Sequence, residues 1–266
     1  MQSVKECYLK VKKDCFRYIA SQETRDDKFK NKDKMIKSFL IPTSFWIANK
    51  ANKRKTIIIG LAGGQGTGKT TISSIIKMIL EKYFKFNVFK ISIDDFYKTR
   101  KDREKLSKNI HPLLITRGVP GTHDTDLILD FFRKVKSKKF SSISLPKFDK
   151  SIDDRVKKKN WYKIKRKPDI VILEGWCVGS SPQKLKNLKK PINFLEKNMD
   201  HKLKWRKYVN NQLNNRYKTI HKMFSCFLYL KLQFQRAPFQ QDIFQQLLIC
   251  PTLTLLHRKL RVDCQI

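Results

Sequence analysis

Residues 56–71 read TIIIGLAGGQGTGKTT, an apolar, β-branched run that breaks into glycines and ends in Gly68-Lys69-Thr70. Residues 63–70 fit the spacing G-x-x-x-x-G-K-[ST], the strongest constraint on the fold that the chain carries. A loop that wraps a polyphosphate with backbone N–H groups needs positive φ and little side-chain bulk, and Gly63, Gly64, Gly66 and Gly68 supply both. Gln65 and Thr67 occupy the variable positions between them. The helix predicted from Lys69 onward carries Thr70 and Thr71 in its first turn and aims its positive end at the loop. Lys69 is then placed to reach the β and γ phosphates and the Thr70 hydroxyl to bind Mg²⁺. A chance glycine-rich turn is the competing reading. The apolar strand pattern of 56–61 before the loop and the helical spacing of apolar residues in 71–83 after it favour the phosphate site.

Two acidic strand tips lie further along the chain. A second strand is predicted over 87–93, running into Asp94-Asp95-Phe96-Tyr97, and a buried strand over 169–173 ends in Glu174-Gly175. Carboxylates at the carboxyl ends of parallel strands lie where open α/β sheets bind ligands. Asp94 and Asp95 could simply end a strand and cap the next segment, but downstream of a phosphate loop a functional role is preferred. Glu174 is read as facing the Mg²⁺. Between these strands, residues 110–124 hold turn formers together with Arg117, His123 and Asp124. Capping of the helix carrying Leu127, Ile128, Phe131, Phe132 and Val135 would by itself explain Asp124. A turn requires neither Arg117 nor His123, so one or both are candidates to contact an anionic substrate. Residues 142–148 read as a short strand, and Lys147 and Arg155 nearby read equally well as solvated charge or as substrate contacts.

The chain has 266 residues, 40% of them apolar, enough for one large α/β domain. Its formal net charge of +36 invites a nucleic-acid or acidic-membrane partner. The lysines are spread through most of the chain among many Asn, Ile and Phe, however, and no aromatic-basic recognition motif interrupts them, so compositional drift is the preferred reading. Six widely spaced cysteines without a C-x-x-C motif point to reduced thiols and no zinc site. No apolar run approaches the roughly 18 residues of a membrane span, and a soluble, cytoplasmic protein is expected. An amphipathic helix is predicted over 3–20, with Val4, Cys7, Tyr8, Val11, Cys15 and Ile19 on one face, and another helix over 199–217. The expected organisation is an N-terminal helical extension (1–50) packing on the core, a domain over 51–231, and an atypical tail over 232–266. In that tail Lys259 is the only lysine, while seven of the chain's twelve glutamines fall there. The tail is expected not to continue the domain.

The motifs GGQGTGKTT, ISIDDFYKT, TRGVPGTHD, LPKFDKS followed by DDR, and DIVILEGW occur in this order. Together they resemble the plant-type D-glycerate 3-kinase family and its fungal relatives, within the phosphoribulokinase, uridine kinase and pantothenate kinase group of P-loop kinases. The resemblance implies an α/β P-loop NTPase fold of three layers, with a parallel sheet of about five strands. It implies ATP on residues 63–71, Mg²⁺ beside Thr70, Glu174 and Asp94, and a small acceptor alcohol, glycerate being favoured. Asp94 would be the catalytic base. Lys69 and Glu174 would join it in catalysis, while Arg117, His123, Asp124, Tyr97, Lys147 and Arg155 would form the acceptor site. The alternatives are a nucleoside or pantothenate-like acceptor, or an inactive nucleotide-binding relative. The last arises because residues 232–266 do not resemble the family's lid-forming segment.

Overall fold

A computed structural model describes residues 3–25, 28–234 and 243–250, with side chains up to residue 230. The elements run α1 (Val4–Gln22), α2 (Lys32–Met35), α3 (Ile41–Lys50), β1 (Ile57–Gly63), α4 (Lys69–Lys82), β2 (Val88–Ser92), α5 (Arg100–Asn109), α6 (Thr125–Lys136) and β3 (Ile143–Leu145). They continue β4 (Phe148–Asp149), β5 (Asp154–Arg155), β6 (Tyr162–Ile164), β7 (Ile170–Gly175), α7 (Leu185–Leu188), α8 (Phe194–Met199), α9 (Lys204–Gln212), α10 (Lys218–Lys222), β8 (Cys226–Phe234) and β9 (Ile243–Cys250). Among the described residues two compact units emerge, one made of residues 3–25, 28–91, 167–176, 225–234 and 243–250, the other of 92–166 and 177–224.

The first unit is built on a sheet of order β2-β7-β1-β8-β9. β1 and β7 are buried at every position, as strands covered on both faces must be, and their sequences IIIGLAG and IVILEG are correspondingly continuous in apolar residues. β1 pairs in parallel with β7 and with β8. The Asn87 carbonyl accepts from Asp169 and Ile170 N–H, so β2 and β7 start at the same end. The parallel part of the sheet therefore has four strands where about five were expected. The short strand expected over 142–148 is split at Pro146, and its first half, β3, pairs antiparallel with β6 outside this sheet. The fifth strand of the sheet is β9, antiparallel to β8. It is the described part of the glutamine-rich tail, whose residues 235–242 and 251–266 lie outside the described residues.

One apolar core holds this unit together. The face of α1 formed by Cys7, Tyr8, Val11, Cys15 and Ile19 packs with Ile36, Leu40, Ile41 and Ile47 on the α4 residues Ile72, Ile75, Ile76 and Ile79. Val4, expected on that face, is 40% exposed at the first residue of α1. The four described thiols, Cys7, Cys15, Cys177 and Cys226, are free and buried. Among the described residues no helix is long and apolar enough to cross a membrane.

The second unit carries α5, α6 and the helices from α7 to α10. The helix expected over 199–217 begins only at Lys204, because Leu203 is left-handed (φ 59°) and interrupts it. Asp200 takes over the role of cap, accepting from Trp205 N–H at 2.9 Å and Arg206 N–H at 3.1 Å. The buried Arg206 closes the same knot, with Nε 2.9 Å from the Asp200 carboxylate. A π-helical turn, Leu213–Tyr217, joins α9 to α10 and turns Tyr217 fully inward.

Candidate active site

β1 ends at Gly63 and the chain turns through residues 64–68 into α4. Gly66 (φ 75°) and Gly68 (φ 71°) adopt the left-handed conformations that the spacing requires. Gly63 is needed for a different reason. A Cβ there would lie 2.8 Å from Thr67 Oγ1 and 2.9 Å from Leu230 Cβ, so β8 and the loop can close together only over a bare backbone. Thr67 Oγ1 donates to the Gly64 carbonyl at 2.8 Å and stiffens the turn, and Lys69 Nζ donates to the same carbonyl at 2.6 Å. Gly63→Ala is expected to destabilise the protein by roughly 1–3 kcal/mol, the usual overpacking cost, and to weaken nucleotide binding with it. Urea unfolding followed by tryptophan fluorescence checks the first effect, and titration with nucleotide the second.

Thr70 and Glu174 meet in this unit. The Thr70 hydroxyl, in the first turn of α4, donates to Glu174 Oε1 at 3.0 Å, and the carboxylate is buried at the tip of β7. A hydroxyl and a carboxylate side by side at a helix N-terminus are hard oxygen donors of the kind Mg²⁺ takes. No group of three or more His, Cys, Asp or Glu side chains able to hold a metal occurs among the described residues. Mg²⁺ sheds its waters reluctantly and is commonly held through one or two protein oxygens together with substrate phosphates.

In the second unit Asp94 follows the end of β2 in a 3₁₀ turn, Ile93–Phe96, whose N-cap Ser92 accepts the Asp94 N–H at 3.2 Å. Its carboxylate forms an ion pair with Lys150 Nζ at 2.9 Å and a hydrogen bond with the Tyr97 hydroxyl. Asp95 points elsewhere, accepting from Phe148 N–H at 3.2 Å, and burial pushes its carboxyl up to about 6. Asp95 therefore serves the fold, while Asp94 keeps a partly open carboxylate. Burial likewise raises the Tyr97 phenol far above its usual range, so Tyr97 remains a donor.

Tyr97 and His123 are joined by a backbone bridge and by their rings, stacked 4.4 Å apart at 21°. His123 is buried, and desolvation lowers its pKa to about 3, leaving a neutral imidazole. Asp124 is the N-cap of α6, its Oδ1 accepting from Leu127 N–H at 3.2 Å, while Oδ2 pairs with Arg155 Nη2 at 3.1 Å. Arg155 Nε also donates to the Tyr97 carbonyl at 2.7 Å, so this guanidinium ties the Tyr97 and Asp124 segments together. Asp94, Tyr97, His123, Asp124 and Arg155 thus form one cluster.

Arg117 stands in a neighbouring one. Its guanidinium pairs with Asp153, which also receives Arg100 at 2.9 Å and the buried Arg103 at 3.0 Å. Asp153 is itself left-handed (φ 51°). Phe148 links the clusters, with the Arg117 guanidinium 5.6 Å above its ring and Tyr97 packed edge-on at 5.2 Å. The Arg117 side chain is 29% exposed against 11% for Arg155, which makes it the more accessible cation. The Lys147 side chain is exposed, and its charge reaches the cluster only as a pull on Asp95. Lys150 and Asp153, which hold Asp94 and Arg117, fall inside the motifs LPKFDKS and DDR, but nothing there marks which residues they hold, and Tyr217, which holds His123, lies outside every motif. Their partners lie tens of residues away, and no spacing rule connects them.

Residues 58–236 match the model of the phosphoribulokinase / uridine kinase family. Among curated proteins the chain is 35% identical over 135 residues to the uncharacterized kinase mug58 of Schizosaccharomyces pombe, covering 48% of each chain. It is 37% identical over 154 residues to the "Probable ATP-dependent kinase TDA10" of Saccharomyces cerevisiae, covering 53% of this chain and 51% of that one. The chain thus spans about half the length of these relatives. Among solved structures, the D-glycerate 3-kinase from Cryptococcus neoformans superposes with a TM-score of 0.55 at 26% identity, over 71% of this chain and 69% of that one.

Proposed function

This chain belongs to the phosphoribulokinase / uridine kinase family, and from that premise we propose that it transfers the γ-phosphoryl group of ATP to a hydroxyl of a small metabolite, D-glycerate giving 3-phosphoglycerate. The observation that carries the kinase reading is the Thr70–Glu174 pair at 3.0 Å beside a glycine loop whose Gly63 leaves no room for a side chain. Support for glycerate comes from the five motifs in order and from the likeness to a D-glycerate 3-kinase structure.

Residues 63–71 bind the triphosphate through backbone N–H groups, with Lys69 neutralising its charge. Thr70 and Glu174 would hold Mg²⁺, and the bound ion would supply charge neutralisation on the phosphates. Asp94 accepts the proton of the acceptor hydroxyl as that oxygen bonds to the γ-phosphorus and the bond to the bridging oxygen of ADP breaks. A carboxylate is a weak base, but a loose transition state asks only for orientation and late proton acceptance. Lys150 and Tyr97 keep its oxygens aimed. Arg117, exposed beside Asp153, is the cation for the carboxylate of the acceptor, in the bidentate manner guanidinium favours. Tyr97, His123 and Asp124 form the wall, Arg155 holds that wall in place, and Lys147 adds positive charge at its edge.

Coupled ADP release with ATP, Mg²⁺ and a panel of D-glycerate, pantothenate and uridine tests this reading. D-glycerate is expected to give the highest kcat/KM. Preference for pantothenate or uridine would replace the acceptor, and ATP binding without ADP release on any acceptor would favour a nucleotide-binding relative.

A further inference from the structure

His123 Nδ1 lies 2.6 Å from the Tyr217 hydroxyl oxygen, across 94 positions of sequence. The same phenol oxygen lies 3.1 Å from the Gly121 backbone nitrogen. A backbone N–H can only donate, so Gly121 occupies a lone pair of the phenol oxygen. Burial raises the Tyr217 pKa well above the usual phenol range, so the hydroxyl keeps its proton. Among the described residues the acceptor in reach of that proton is His123 Nδ1. The neutral ring then carries its single hydrogen on Nε2, which is buried and has no hydrogen-bond partner among the described residues. A buried N–H left unpaired is costly, and that cost is recovered when an acceptor oxygen arrives.

The backbone is arranged to hold this contact. Gly121 is left-handed (φ 103°), and a Cβ there would fall 2.5 Å from Tyr208 Cε1 and 3.0 Å from Gln212 Cγ, so glycine alone lets the loop press against α9 and the turn after it. The π-helical turn then presents Tyr217 to Gly121 and His123 together.

We propose that Tyr217 is a positioning residue that locks His123 as its Nε2–H tautomer, making His123 an uncharged hydrogen-bond donor to an oxygen of the acceptor and unable to take the acceptor's proton. The acceptor role rests on the small-molecule kinase reading above. The tautomer does not. A neutral donor suits a site whose base is Asp94, since an imidazolium beside that carboxylate would weaken it as a base. The ligand group is an anionic or hydroxyl oxygen of a small acid.

Long-range ¹H–¹⁵N correlation spectra of the full-length ¹⁵N-labelled chain decide the tautomer, with the His123 signals assigned by their loss in His123→Gln. The expected pattern is a protonated Nε2 and a bare, hydrogen-bonded Nδ1, with Tyr217→Phe moving the Nδ1 signal toward that of an unbonded imidazole nitrogen. A protonated Nδ1 in the wild-type chain, or an Nδ1 signal unmoved by Tyr217→Phe, overturns the proposal whatever the kinase activity. Addition of D-glycerate is expected to shift the Nε2 signal. In kinetics His123→Gln, whose amide nitrogen reaches the place of Nε2, is expected to raise the acceptor KM less than His123→Asn does. His123→Asn, which reaches only toward Nδ1, should raise it about 10- to 100-fold, the loss of one hydrogen bond to a charged group. Equal effects of the two substitutions overturn the donor role. A wild-type chain inactive on every acceptor removes the kinase reading and with it the acceptor role, while the spectra still decide the tautomer.

Discussion

Asp94→Asn is expected to lower ATP-dependent phosphoryl transfer by roughly 10²- to 10⁴-fold, the range for loss of a positioned general base. The substitution keeps the shape of the side chain and leaves the Ser92 cap on the backbone N–H intact. It removes the ion pair with Lys150, but Lys150 is 63% exposed. Such a pair contributes about 0–1 kcal/mol, and the thermal midpoint is expected to stay close to that of the parent. The loss should fall on kcat, because the proposed contacts to the nucleotide come from residues 63–71, and the KM for ATP should change little. Steady-state kinetics at saturating acceptor, with a melting curve for each protein, measures both. Full turnover by the asparagine variant would sink the assignment of the base.

Lys69→Ala is expected to cost on the order of 10²–10³ or more in transfer rate, as removal of one electrostatic donor from a preorganised phosphate site does. It should weaken ATP binding as well. Lys69 is the first residue of α4, and its Nζ rests 2.6 Å from the Gly64 carbonyl, close over the loop it serves. Alanine is the better helix former and the lysine side chain is solvent-facing, so α4 should remain folded. Calorimetric titration with ATP, beside the transfer assay, separates lost binding from lost rate. Lys69→Arg is expected not to restore activity, because the guanidinium is a wide planar fork where the loop accommodates a compact ammonium. Rescue by arginine would mean that the site asks only for charge.

Much of the first unit was legible in the residues because its signals are local. A loop that closes over phosphate needs glycine at defined offsets, and Gly66 and Gly68 take the positive φ that the spacing implied. Strands covered on both faces must be apolar throughout, so β1 and β7 are legible in the residue order. The apolar face of α1 came from helical periodicity alone, apart from Val4 at its exposed first residue. The expectation was weaker where a break depends on one residue's backbone state. Nothing in the composition of 199–217 announces that Leu203 turns left-handed, and Pro146 divides a stretch that reads as one strand.

The acceptor cluster shows the other limit. Its residue types were readable: two carboxylates, a histidine and two arginines in turn-rich loops. Their partners were not. Asp153 gathers three guanidiniums, Arg155 ties a carbonyl and a cap together, and Tyr217 reaches His123 over 94 positions. Pairing at that range comes from how helices and loops pack, and the sequence records no spacing for it. The residue order of this chain therefore establishes that a phosphate loop, two acidic strand tips and a cationic turn exist. Packing alone decides which arginine is the more exposed, which aspartate is buried for the fold, and which nitrogen of His123 faces Tyr217. Those three outcomes depend on burial and on the direction of single hydrogen bonds, and both arise only once distant segments are in contact.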